Sequence, residues 1–121
     1  MKFISPKIHG IIDYLMVIVL LCSPAFFGFT GTLAVFTYAL GAVHLLLSIL
    51  TDYPMGAFKA IPVTIHATIE VLVGIILIVL AYTLFGDNPD GKLFYVIFGT
   101  VILLTWLVTD YMGNEFNEAT L

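Results

Sequence analysis

The chain has 121 residues, of which 61% are hydrophobic and 10% charged, with a mean hydropathy of +1.14. Soluble domains carry about 25% charged residues, so a soluble monomer is excluded. One cysteine, Cys22, excludes an internal disulfide, and four basic residues, all lysines, cannot neutralise a nucleic-acid backbone. The net charge of -4 comes largely from Asp87, Asp90, Glu115 and Glu118 in polar segments, which leaves Asp13, Asp52, Glu70 and Asp110 as the acids tied to apolar runs.

A hydrocarbon core of about 30 Å needs about 20 apolar residues in a helix, and four runs meet that length. The first follows Ser5-Pro6, a cap and first-turn pair, and spans about Lys7 to Phe29, with Ser23-Pro24 interrupting its far end. The second spans about Thr32 to Asp52. After a connector from Pro54 to Ile61, Pro62 opens a third span ending near Phe85. Asp87-Asn88-Pro89-Asp90-Gly91 reads as a turn before a fourth span, Lys92 to Tyr111. The expected fold is an all-α bundle of four transmembrane helices. Lys2, Lys7 and Lys59 fall on the side of the N-terminus and Lys92 on the other, which places both termini in the cytoplasm. The first run is read as a span and not as a cleaved signal peptide, because Val19-Leu20-Leu21-Cys22 lacks a lipoprotein cleavage site and no A-x-A pattern follows.

Sliding the chain on itself by 57 residues sets Ile8, His9, Ile12, Leu15, Ile18 and Leu20 over Ile65, His66, Ile69, Leu72, Ile75 and Leu77, with Asp13 over Glu70. A slide of 58 sets Phe36, Gly41 and Thr51-Asp52-Tyr53 over Phe94, Gly99 and Thr109-Asp110-Tyr111. Apolar matches between membrane helices are cheap; the polar ones carry the inference of two tandem two-helix units, 5–53 and 62–111, followed by a polar tail, 112–121. Two crossings per unit make the repeats parallel, related by a pseudo-twofold along the membrane normal. The first unit, with Asp13 followed by Cys22-Ser23-Pro24-Ala25-Phe26-Phe27-Gly28-Phe29, resembles the SPW-repeat membrane proteins, with Ala25 in place of the tryptophan. In the second unit Leu80-Ala81-Tyr82-Thr83-Leu84-Phe85-Gly86 keeps the aromatic-glycine ending. The resemblance implies a small protein of the bacterial inner membrane and no particular activity.

Parallel repeats bring the starts of helices 1 and 3 and the ends of helices 2 and 4 to one membrane face. At about 1.5 Å rise per residue, His9 and Asp13 lie about 6 Å apart along one helical face, as do His66 and Glu70. Asp52 and Asp110 are expected near the level of the two histidines, with Tyr53 and Tyr111 beside them. Tyr38, Gly41, His44, Ser48 and Asp52 recur at spacings of three and four, a polar stripe expected to face the interior. Carboxylates at helix C-termini and histidines at helix N-termini each oppose their own helix dipole, and antiparallel packing relieves both by bringing them together.

Neutral imidazoles among several carboxylates suit a divalent metal of the Mn, Fe or Zn class, and helical bundles build such sites from facing helices. The candidate ligands are His9, Asp13, Asp52, His66, Glu70 and Asp110, with His44, Ser48, Tyr53 and Tyr111 as accessory residues. Solvated helix ends with tyrosine anchors, and local His-carboxylate hydrogen bonds, account for the same residues without a ligand. Gly41 and Gly99 are expected to permit close helix packing, and Cys22 to be buried and inert. The leading function is cation binding or proton exchange, serving transport, with dimerisation into a homo-oligomer supplying the walls that four helices lack. Alternatives are a membrane metalloenzyme acting on a lipid or quinone, a haem held by His9 and His66, and a scaffold whose polar network only fixes helix register. The absence of arginine to pair haem propionates weighs against haem.

Overall fold

The computed structural model describes residues 2–112, so nearly all of the expected tail lies outside the described residues. The elements in order are α1 (Pro6–Phe27), α2 (Gly31–Leu50), β1 (Thr51–Asp52), β2 (Ile61–Pro62), α3 (Val63–Tyr82) and α4 (Pro89–Val108). All four helices are long and apolar enough to cross a membrane, which indicates a multi-pass membrane protein. Their outer faces agree: Leu15, Ile18, Val35, Val43, Leu72, Val79, Leu93 and Leu104 are exposed, while histidines and carboxylates are buried. That inversion is stable only where the outer faces meet hydrocarbon.

Ser5 caps α1 by accepting from the Ile8 N–H at 3.2 Å, and Pro6 fills the first turn, where no N–H is needed. Pro24 does not stop α1; the helix continues to Phe27 and ends at Gly28, whose φ of 71° suits a residue without Cβ. Asn88, expected in a turn, caps α4 by accepting from the Gly91 N–H at 3.0 Å, so Pro89 becomes the first helical residue and the helix starts three residues before Lys92. Short connections fold α1 back on α2 and α3 back on α4, the two most extensive helix contacts among the described residues. Gly41 sits where a Cβ would press on Leu20 and Leu21, and Gly99 where it would meet the Gly74 carbonyl at 2.9 Å; both permit close packing, as expected.

Two short parallel pairings tie the two helix pairs at one end of the bundle. Thr51 pairs with Ile61 behind α2 and before α3, and Thr109 pairs with Ile4 behind α4 and before α1. The opposite end is filled by Phe29, Leu33, Leu77, Ala81, Phe85, Tyr95 and Phe98, with Phe85 stacked on Tyr95 at 5.3 Å between ring centres. One polar contact sits within it. Thr37 donates to the Leu33 carbonyl at 2.7 Å, so its oxygen accepts from the Tyr95 hydroxyl at 2.6 Å.

The buried line of α2 is therefore Leu33, Thr37, Gly41, His44 and Ser48. Tyr38, expected on the interior stripe, is 45% exposed, because the stripe passes through Thr37 one residue earlier. Cys22, expected to be buried, is exposed on the outer face of α1, since the interior side of that turn is taken by Ser23 and Pro24.

Candidate metal centre

At the end tied by the two threonine pairings, His9, Asp13, His66 and Glu70 each offer a ligand atom, and these atoms all lie within 4.8 Å of one another. His9, Asp13 and His66 are fully buried and Glu70 nearly so. The i, i+4 spacing sets each histidine above its carboxylate, His9 Nε2 to Asp13 Oδ1 at 3.3 Å and His66 Nε2 to Glu70 Oε1 at 3.5 Å. Packing α1 against α3 adds crossed contacts that are shorter still, His9 Nε2 to Glu70 Oε1 at 3.1 Å and His66 Nε2 to Asp13 Oδ2 at 3.2 Å. Each imidazole thus faces both carboxylates almost equally.

The outer ring nitrogens fix which atoms face inward. Thr51 donates its hydroxyl proton to the Leu47 carbonyl at 2.6 Å, so toward His66 Nδ1, 2.7 Å away, it can only accept. Thr109 does the same, donating to the Thr105 carbonyl at 2.6 Å and accepting from His9 Nδ1 at 2.8 Å. Both histidines therefore carry their proton on Nδ1 and turn Nε2 toward the carboxylates. For neutral imidazoles, two lone pairs and two negative charges then meet in a buried space, which is repulsive unless positive charge lies between them.

That charge can be a proton on an imidazole, as in the His9 Nε2 hydrogen bond to Glu70 Oε1, or an ion that these four residues could hold. Four ligands about 2.0–2.1 Å from a tetrahedral ion are separated by about 3.3–3.4 Å. The four nitrogen–oxygen separations run from 3.1 to 3.5 Å, with Asp13 using Oδ1 toward His9 and Oδ2 toward His66, and one ligand atom from each of the four residues lies within 4.8 Å of the others. Imidazolium–carboxylate hydrogen bonds would be nearer 2.7–2.9 Å, with each proton closer to one acceptor. Among the described buried atoms, Asp13 Oδ1, His66 Nε2 and His44 Nε2 have no hydrogen-bond partner. Two carboxylates and one divalent ion also sum to zero charge, the condition burial within apolar helices demands.

Tyrosines complete the shell. Tyr53 donates to Asp13 Oδ2 at 2.8 Å, the oxygen that also faces His66, and Tyr111 donates to Glu70 Oε2 at 2.5 Å, while Asp13 Oδ1 and Glu70 Oε1 face histidines alone. Burial, reinforced by the neighbouring carboxylate, pushes both phenols well above their ordinary range, so they stay protonated as donors. Tyr53 is held over the start of α1 by the 53–60 connector, which Tyr14 pins by donating to the Met55 carbonyl at 2.9 Å.

Two expected ligands do not join this group. The chain is extended after α2 and α4, so consecutive side chains alternate. Thr51 and Tyr53 face inward while Asp52 is exposed. Along the second triplet Thr109 reaches His9 and Tyr111 reaches Glu70, while Asp110 is buried outside the four-residue group and its N–H donates to the Ile4 carbonyl at 2.8 Å. Ser48 is buried but donates to the His44 carbonyl at 2.9 Å. His44 lies at the rim, its Nε2 3.7 Å from Asp13 Oδ1. Thr51 and Thr109, absent from the expected set, are the residues that orient the imidazoles; the twice-occurring Thr-Asp-Tyr carries that signal in its hydroxyl members.

No protein-family model matches the chain, and no curated protein or solved structure is similar to it.

Proposed function

We propose that this membrane protein binds one divalent cation of the Zn, Fe or Mn class through His9, Asp13, His66 and Glu70. One observation carries the reading: two Nε2 atoms, oriented by threonines, face two buried carboxylates, and one ligand atom from each of the four residues lies within 4.8 Å of the others. The equivalent use of His9 and His66, Thr109 and Thr51, and Tyr53 and Tyr111 supports descent from a duplicated two-helix unit. It is consistent with membership of the SPW-repeat proteins suggested by residues 22–29. The lysine distribution supports placing the centre near the cytoplasmic face of a bacterial inner membrane, with cation or proton exchange as its role and a homo-oligomer as its working form.

The test is thermal unfolding of the purified protein in detergent with and without added metal, for wild type and His66→Ala. The wild type gains stability in Zn, Fe(II) or Mn(II), and loses that gain as the pH falls, because every ligand must be deprotonated to bind. His66→Ala shows no gain. A wild type indifferent to all three ions overturns the metal reading and leaves the same gaps to protons.

A further inference from the structure

His44 breaks the equivalence of the two units, since residue 102, its counterpart 58 positions on, is isoleucine. It also stands at the inner end of a cleft. Leu40, Val43 and His44 of α2, Glu70 and Val73 of α3, and Ile102 of α4 line a narrow space of about 50 Å³, almost wholly apolar, between α2 and the packed α3–α4 pair. Its outer wall includes Val43, which is 63% exposed on the lipid-facing side of α2. His44 lies six residues before the end of α2 at Leu50, about 9 Å into the apolar zone, so this route opens to hydrocarbon and not to water. At the inner end the ring of His44, nine-tenths buried, holds its Nε2 without a partner, 3.7 Å from Asp13 Oδ1 and beside the carboxylate of Glu70.

We infer that this cleft admits a slender, uncharged, membrane-dissolved molecule with a terminal hydroxyl, whose oxygen meets His44 Nε2 at the edge of the cation site while its hydrocarbon lies along Leu40, Val43 and Val73. Each part of that description has a cause. One water needs about 10–15 Å³, so the cleft holds a few atoms abreast of His44 and no fused ring system. The apolar walls and lipid-facing mouth reject charged and strongly hydrated molecules. The unpartnered nitrogen rewards an oxygen that can hydrogen-bond to it and penalises a plain alkane that cannot. The inference rests on the cation reading for what lies beyond His44, and on the cleft alone for which molecule arrives.

The experiment uses the full chain in lipid nanodiscs with a straight-chain primary alcohol carrying a diazirine, its adducts mapped by mass spectrometry, and cobalt(II) absorption recorded on the same samples. Adducts are expected to concentrate on Leu40, Val43 and Val73, and to be displaced by 1-decanol but not by decane. Val43→Trp, which fills the mouth, lowers them about tenfold, and His44→Phe removes the preference for alcohol over alkane by a similar factor. In cobalt-loaded wild type, 1-decanol alters the visible spectrum and decane does not. Labelling spread equally over Leu15, Leu72 and the cleft, unchanged in both variants, overturns the inference even where cobalt binds. Cleft labelling that depends on His44 in a protein that takes up no cobalt upholds the inference and overturns the cation reading.

Discussion

The two ends of the bundle use the same hydroxyl device to opposite effect. At the aromatic end Thr37 donates to a carbonyl one turn back and accepts from Tyr95, and the polar chain stops there with its protons placed. At the other end Thr51 and Thr109 also donate one turn back, but what they accept from is an imidazole whose second nitrogen points on toward carboxylates. The first network is closed and contributes packing specificity. The second is open: among the described residues its two carboxylates face histidines and no lysine or arginine, so the balancing charge is a proton on an imidazole or a bound ion. Burial alone therefore does not separate structure from function here; what separates them is whether the hydrogen-bond chain terminates within the protein.

Removing a carboxylate from the open end should have the largest effect. Glu70→Ala abolishes metal uptake and leaves the variant about 3–5 kcal/mol less stable than metal-loaded wild type, as expected for breaking a buried ion-paired group, measured by reversible unfolding in bicelles. Thr51→Val and Thr109→Val keep side-chain shape and remove the acceptor that orients each imidazole. Each should weaken metal affinity about 10–100-fold in competition titrations, with the fold retained. At the closed end, Tyr95→Phe should cost about 1 kcal/mol and leave metal affinity unchanged, since it removes one neutral hydrogen bond remote from the cluster. The smallest effect belongs to Asp52→Asn, which should change stability by less than about 0.5 kcal/mol and metal binding not at all. A large loss of metal on Asp52→Asn would mean that the alternation at the end of α2 had been read on the wrong face.

The membrane helices were legible because length and apolarity alone define them. Their ends moved by a few residues where local chemistry outweighs hydropathy, as at Asn88, whose side chain starts α4 earlier than the turn reading allows. The core of the site was legible too. His9, Asp13, His66 and Glu70 follow from helical spacing plus the scarcity of charge, which makes each buried acid conspicuous. Asp52 and Asp110 fall outside the group because the Thr-Asp-Tyr segments are extended chain, whereas hydropathy carries the helices through them to Asp52 and Tyr111. In extended chain a period of two turns Thr and Tyr together toward the histidines and carboxylates, and turns Asp52 to the surface and Asp110 to a buried position outside the group. The crossed pairing of His9 with Glu70 and of His66 with Asp13 depends on how α1 meets α3, which no spacing within one helix encodes.

The central claim is that two imidazole nitrogens and two carboxylate oxygens converge on one cation, and X-ray absorption at the metal edge of zinc-loaded protein tests it most directly. The account predicts one zinc per chain with two imidazole nitrogens and two oxygens at about 2.0–2.1 Å, and loss of that signature in His66→Ala. Zinc absent at stoichiometric loading, or bound in an identical shell after His66→Ala, would contradict it.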